Sequence, residues 1–144
     1  MVVNGRHQFV GSDRAALEKA LHVEQARPFP IDLRILSTFT SDSRLTIKLS
    51  ATSDPALRGA EIIAVLADDT DQSSVLRGEN AGRNFTFIAV ARSLATVAKL
   101  QVKLEQTITL ALPVTFQRKP GHHLILFAQQ PATGQILGAD SKPL

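Results

Sequence analysis

Phe85-Thr86-Phe87-Ile88-Ala89-Val90-Ala91-Arg92-Ser93-Leu94-Ala95-Thr96-Val97-Ala98-Lys99-Leu100-Gln101-Val102-Lys103-Leu104 decides the fold of this chain, because it reads in two ways. Phe87, Val90, Ala91, Leu94, Val97 and Ala98 fit a helical stripe, whereas Leu100, Val102 and Leu104 alternate with polar residues as a half-buried strand does. A central helix would leave one sheet of a sandwich short of partners. A broken pair of strands brings the count to seven, which closes two packed sheets, so we read strand.

The flanking segments support that choice. Ile31, Leu33 and Ile35 alternate with Asp32 and Arg34, and Leu45, Ile47, Leu49 and Ala51 alternate with Thr46, Lys48 and Ser50. Ala60–Ala67 is apolar on both faces, as suits a central strand. Ser53-Asp54-Pro55 and Arg58-Gly59 supply the breaks. Thr107–Leu112 alternates again, and His123–Ala128 and Gln135–Leu137 finish the chain on either side of Gln130-Pro131-Ala132-Thr133-Gly134.

The N-terminus obeys a different rule. Val2-Val3 and His7–Val10 flank Asn4-Gly5, the pair best suited to a type I′ turn, which needs positive φ at both central positions. Ser12 or Asp13 can then cap a helix to about Glu24, with Ala16, Leu17, Ala20, Leu21 and Glu24 on one face. Arg27-Pro28-Phe29-Pro30 stops the helix. The expected architecture is therefore mainly β: an antiparallel, immunoglobulin-like two-sheet sandwich over residues 31–144, preceded by a hairpin and helix over 1–26 and a linker at 27–30.

Composition narrows the function classes. Cysteine is absent from the 144 residues, so the chain has no disulfide, no thiolate nucleophile and no sulfur-rich zinc site. The formal charge of +3 is scattered, with no basic run longer than Arg118-Lys119, and the chain lacks Trp and Tyr. A nucleic-acid partner usually requires a basic stripe with stacking platforms, so none is expected. The apolar run Ile62–Ala67 is far too short to span a bilayer, so no membrane insertion is expected. As written the chain carries no export signal and reads as cytoplasmic; as part of a longer exported protein it would be periplasmic or secreted.

Two segments carry a family resemblance: Val2-Val3-Asn4-Gly5-Arg6-His7-Gln8-Phe9-Val10-Gly11-Ser12-Asp13-Arg14-Ala15-Ala16-Leu17, and Arg77-Gly78-Glu79-Asn80-Ala81-Gly82-Arg83. Together they resemble the domain-of-unknown-function family numbered 1223, exported and largely bacterial proteins with a thioredoxin-like domain followed by a β-sandwich. The resemblance implies that residues 1–26 are the closing hairpin and helix of a thioredoxin-like domain whose cysteine-bearing front half is missing. The Gly-Glu-Asn-x-Gly-Arg motif falls on Gly78, Glu79, Asn80, Gly82 and Arg83. No residue corresponds to the family's cysteines.

Several segments are candidate sites. Arg77, Glu79, Asn80 and Arg83 can form a polar recognition loop; the plainer reading is a β-turn in which Glu79 pairs with an arginine and Asn80 is left-handed. His122 and His123 are adjacent on a strand, point to opposite faces and cannot chelate one ion together. Asp68-Asp69-Thr70-Asp71 offers oxygen ligands for calcium but reads better as a solvated turn at a strand end. Asn84-Phe85-Thr86 matches a glycosylation acceptor by coincidence. No Gly-x-Ser-x-Gly elbow or His-x-x-x-His spacing occurs, so no metal, cofactor or catalytic residue is assigned.

The expected function is a non-catalytic binding or scaffolding module for an unknown protein or small-molecule ligand. The alternative is an accessory domain of a thiol–disulfide enzyme whose cysteines lie in the absent front half. The hairpin and helix would expose Val2, Val3, Phe9, Val10, Leu17 and Leu21 without the sheet of an intact thioredoxin-like domain, which favours a homodimer through residues 1–25. Because the chain has no sulfur nucleophile, it should reduce insulin no faster than buffer; measurable turnover by the pure chain would refute the non-redox assignment.

Overall fold

Hydrophobic alternation places the strands, and the computed structural model describes them over residues 1–117 and 121–144. A short hairpin of β1 (Val2–Val3) and β2 (His7–Gln8) leads into helix α1 (Arg14–Gln25). Seven strands follow: β3 (Ile31–Ser41), β4 (Arg44–Ser53), β5 (Glu61–Ser74), β6 (Asn84–Lys99), β7 (Lys103–Ala111), β8 (His122–Gln129) and β9 (Ile136–Pro143). The decisive stretch is thus two strands, β6 and β7, broken at Leu100–Val102, as the partner-counting argument required.

All pairing is antiparallel. One sheet has the order β3-β4-β7 and the other β6-β5-β8-β9. The fourth strand of the sandwich therefore sits beside the third, whereas in a constant-type immunoglobulin domain it belongs to the opposite sheet. The two sheets bury Leu45, Ile47, Leu49 and Ala51 from β4 against Ile62, Ala64 and Leu66 from β5 and Leu124, Leu126 and Ala128 from β8. Each is a period-two row, so the inner faces interdigitate as in other sandwiches. Leu100, in the break between β6 and β7, is also fully buried; its amide donates to the Ala60 carbonyl at 2.8 Å and its carbonyl accepts from the Gly59 amide at 3.0 Å.

Strand β5 is buried on its other face as well. Ile63, Val65 and Ala67 form a second apolar cluster with Ile125 and Phe127 of β8. Two-sided burial fits its central place and matches the reading of Ala60–Ala67. Two expectations are corrected. The last strand runs to Pro143 rather than ending at Leu137. Asp68-Asp69-Thr70-Asp71 is no solvated turn but continues β5, because β6 stays paired with it through Ser74.

Asp13 caps α1 by accepting from the Ala16 amide at 2.9 Å. Ala20 is its buried residue, while Leu21, expected on the packed face, is exposed. In the hairpin turn Asn4 and Gly5 both have positive φ, 49° and 67°. A side chain at Gly5 would collide with the Gly134 carbonyl, and the Ile136 amide donates to the Asn4 carbonyl at 3.0 Å. The hairpin therefore packs on the chain's own β8–β9 connection.

The open edge of β3 comes close to β9. The Ile35 amide donates to Asp140 at 2.7 Å, and a Cβ on Gly138 would lie 2.6 Å from the Ile31 carbonyl oxygen. Gly138→Ala should therefore force the sheets apart at this seam and cost about 1–3 kcal/mol, as overpacking does. Gly11→Ala, whose Cβ would meet nothing within 4 Å, should be close to neutral. Chemical denaturation of the two variants checks this: equal midpoints would refute the close approach.

Candidate functional site

The even-numbered inward row of β5, Ile62-Ala64-Leu66, ends on a carboxylate. Asp68 takes the next inward place and is only 4% exposed. Directly across on β8 the same inward row begins with His122, its register partner, 7% exposed. An ionised carboxylate there is costly unless it is paired and hydrogen-bonded. Arg92 meets that need: its Nε donates to Asp68 at 2.6 Å and its Nη2 to Asp71.

Arg92 reaches both because it is the extra residue of a β-bulge. Leu66 pairs with Ser93 and Ala67 with Ala91, leaving Arg92 unmatched and re-aimed. Its hydrogen bonds to Asp68, and then to Asp71, raise the guanidinium above its ordinary value. His122 is less well served. Its Nδ1 lies 3.0 Å from Asp68 Oδ1 but off the line of a hydrogen bond, so both ring nitrogens and that oxygen lack a hydrogen-bond partner among the described residues. Its ring stacks on Phe116 with centroids 3.9 Å apart.

One residue further along, both strands face the other side of the sheet. Asp69 bonds His123 Nδ1, and both side chains are partly exposed. The Asp69 amide donates to the Gly121 carbonyl at 2.9 Å, which holds the carboxylate beside the ring. The pair lies at the edge of a cleft of ≈ 340 Å³ whose walls include Ala67, Ile88, Ala89, Ile125 and Ser141. As the alternation argument requires, His122 and His123 serve opposite faces. Their carboxylate partners do too.

Beyond the Asp68↔His122 pair, β8 no longer supports β5. Among the described residues Thr70–Ser74 and Asn84–Ile88 pair only with each other, making a two-stranded arm beyond the last β5–β8 pair. The family motif is its tip. Arg77, Glu79, Asn80 and Arg83 are all exposed there, closed by bonds from the Val75 amide to the Arg83 carbonyl and from the Gly82 amide to the Val75 carbonyl. Two details differ from expectation: Gly78 and Gly82 supply the positive φ instead of Asn80, and Glu79 forms no ion pair among the described residues. Leu76 and Ile88, 87% and 80% exposed, make the arm apolar as well as polar.

At the opposite end, one carboxylate ties the hairpin to the helix. Glu24 accepts from Asn4 Nδ2 at 3.1 Å and meets His7 Nε2 at 2.8 Å, with Arg6 Nε at 3.9 Å. Sequence reasoning placed Glu24 on the packed face of α1, and the structure gives the reason. Arg92 was missed, and Asp68 was weighed only as part of an acidic turn, although it continues an apolar row at the same spacing. Among the described residues no group of three or more His, Asp or Glu is placed to hold a metal, and no helix is long and apolar enough to cross a membrane. Arg118-Lys119 lies outside the described residues.

The sequence profile of the family described as protein of unknown function DUF1223 matches residues 1–129. The chain belongs to DUF1223. No curated protein matches this DUF1223 member. Among solved structures, HBP35 of Porphyromonas gingivalis is similar, with a TM-score of 0.68 at 11% identity, over 94% of this chain and 48% of that one. The likeness shows the fold alone, and it extends beyond β3–β9 into the hairpin and helix. This chain spans about half the length of HBP35. A beta-glucosidase from Kluyveromyces marxianus, solved with glucose, reaches a TM-score of only 0.35 at 13% identity, over 79% of this chain and 14% of that one, too loose to bear on the fold.

Asn4, followed by His7 and Arg6, holds the Glu24 carboxyl below its ordinary value of 4.5. A lowered value means that the tie is complete above the ordinary value and is lost as the pH falls through the folded one. Glu24→Gln should therefore speed amide exchange at Ile136 and Phe9 at neutral pH, and the difference from the parent should vanish in acid. A pH-independent difference would show that the carboxylate charge is not the anchor.

Proposed function

We propose that this DUF1223 chain is a non-catalytic β-sandwich binding or scaffolding module whose recognition element is the β5–β6 arm. The supporting observation is the arm itself: a ribbon beyond the core that exposes Leu76, Phe87 and Ile88 beside the polar tip residues Arg77, Glu79, Asn80 and Arg83. Exposed apolar side chains rimmed by polar ones mark an interaction surface, and a protein partner is the class that uses such a ribbon. The test is photo-crosslinking in cells with the reactive residue at position 76 or 88, and at Thr46 on the other sheet as control. The same adduct from both arm positions and none from Thr46 is expected; equal labelling at all three, or none, refutes the arm.

Residues 1–26 and 31–144 act as two units in this reading, joined at 27–30, with the first the end of a thioredoxin-like domain. Its family resemblance supports this. The turn is covered by the sandwich, yet Val2 and Val10 stay exposed and the β1 and β2 edges remain open. Self-association through residues 1–25 answers that exposure. Light scattering at micromolar concentration should give a dimer for the full chain and a monomer for one starting at Pro28. A monomeric full chain, or equal dimerisation of both, refutes it.

The second reading is an accessory domain of a thiol–disulfide enzyme with cysteines elsewhere in a longer product. It draws support from HBP35, whose chain is about twice the matched length. The mass of the native gene product, with an assay for insulin reduction, separates the two readings.

A further inference from the structure

We propose that the cleft beside Asp69 and His123 binds a small apolar molecule carrying one hydrogen-bond donor, a hydroxyl or N–H group. Its volume, ≈ 340 Å³, falls within the range of about 300–1,000 Å³ typical of small-molecule sites. Ala67, Ile88, Ala89 and Ile125 make its walls apolar, and Ser141 closes it from β9. The site belongs to the sandwich and is separate from the tip of the arm.

The polarity of the ligand follows from one hydrogen bond. Asp69, a carboxylate, can only accept, so the His123 nitrogen it bonds, Nδ1, carries the proton. In the neutral ring the other nitrogen, Nε2, is then a bare acceptor. The fixed acceptors at the edge of this apolar cleft, His123 Nε2 and the Asp69 carboxylate, favour a ligand donor, because an analogue lacking one leaves an acceptor unpaired. A ligand anion finds no favourable place beside the Asp69 carboxylate, which borders the cleft.

A second observation marks the same place. Ala89 sits in the left-handed region at φ 53°, where glycine is the unstrained choice. Such strain persists where the surroundings over-determine it and clusters at ligand clamps. Here it turns β6 at the cleft wall and keeps a methyl group there.

The test is an NMR titration of the full chain with three probes of one shape: p-cresol, toluene and p-toluate. Saturable shifts at Ile88, His123 and Ile125 are expected, with p-cresol about fivefold tighter than toluene, the net worth of one hydrogen bond. Asp69→Asn, which can donate to Nδ1 and so frees the tautomer, should bring the ratio of p-cresol to toluene affinity to about one. Ser141→Trp, at an exposed strand position, should fill the cleft and abolish binding of all three. Equal affinity for p-cresol and toluene, preference for p-toluate, or shifts that do not saturate would each overturn the proposal.

Discussion

Strand β5 is buried on both faces along Ile62–Ala67, so it can lie only inside a sheet, with a strand on each side and side chains above and below. Its neighbours follow from that requirement. β8 matches it with Leu124, Leu126 and Ala128 inward and Ile125 and Phe127 outward, an equally two-sided strand. β6 takes the outer position, where exposed residues and bulges are tolerated. The other sheet, with β4 at its centre, covers the inner row.

The inner row must stop somewhere, and Asp68 is where it stops. A carboxylate at a position shaped for an aliphatic side chain is held only because Arg92 is delivered by a bulge on one side and His122 lies opposite on the other. The same residue marks the last pair that β8 makes with β5, so the end of the core and the start of the arm coincide. Charge sets the length of the sandwich, and the arm is what remains of β5 and β6 once apolar support has run out.

Most of this architecture was legible in the sequence. Period-two rows announced β3, β4 and β7, a run apolar on both faces announced β5, the turn residues 130–134 set off β8, Asn4-Gly5 announced the first turn, and the prolines at 28 and 30 closed the helix region. What could not be read was long-range. Asp68-Asp69-Thr70-Asp71 looks like turn material because four polar residues after an apolar run usually face water. Nothing local reveals that β6 is sixteen residues long and carries the ladder past them. Arg92 was illegible for the same reason: a bulge is a mismatch between two strands, and neither strand shows it alone. The histidine pair was half legible, since alternation gives their opposite faces but not the carboxylates that each meets.

The N-terminal segment shows the limit of dividing this chain by composition alone. Arg27–Pro30 is a sharp change of pattern, yet Asn4 and Gly5 are committed to the β8–β9 connection and Glu24 binds the helix to that same hairpin. The contact is small and polar, built on one backbone hydrogen bond, one close approach and one half-buried carboxylate. A contact of that kind fixes orientation with little stabilisation, because each polar bond only replaces one to water. The core cluster of the sandwich draws no residue from the hairpin or the helix among the described residues. Their outer strand edges, like those of β3, β6, β7 and β9, have no further strand beside them among the described residues.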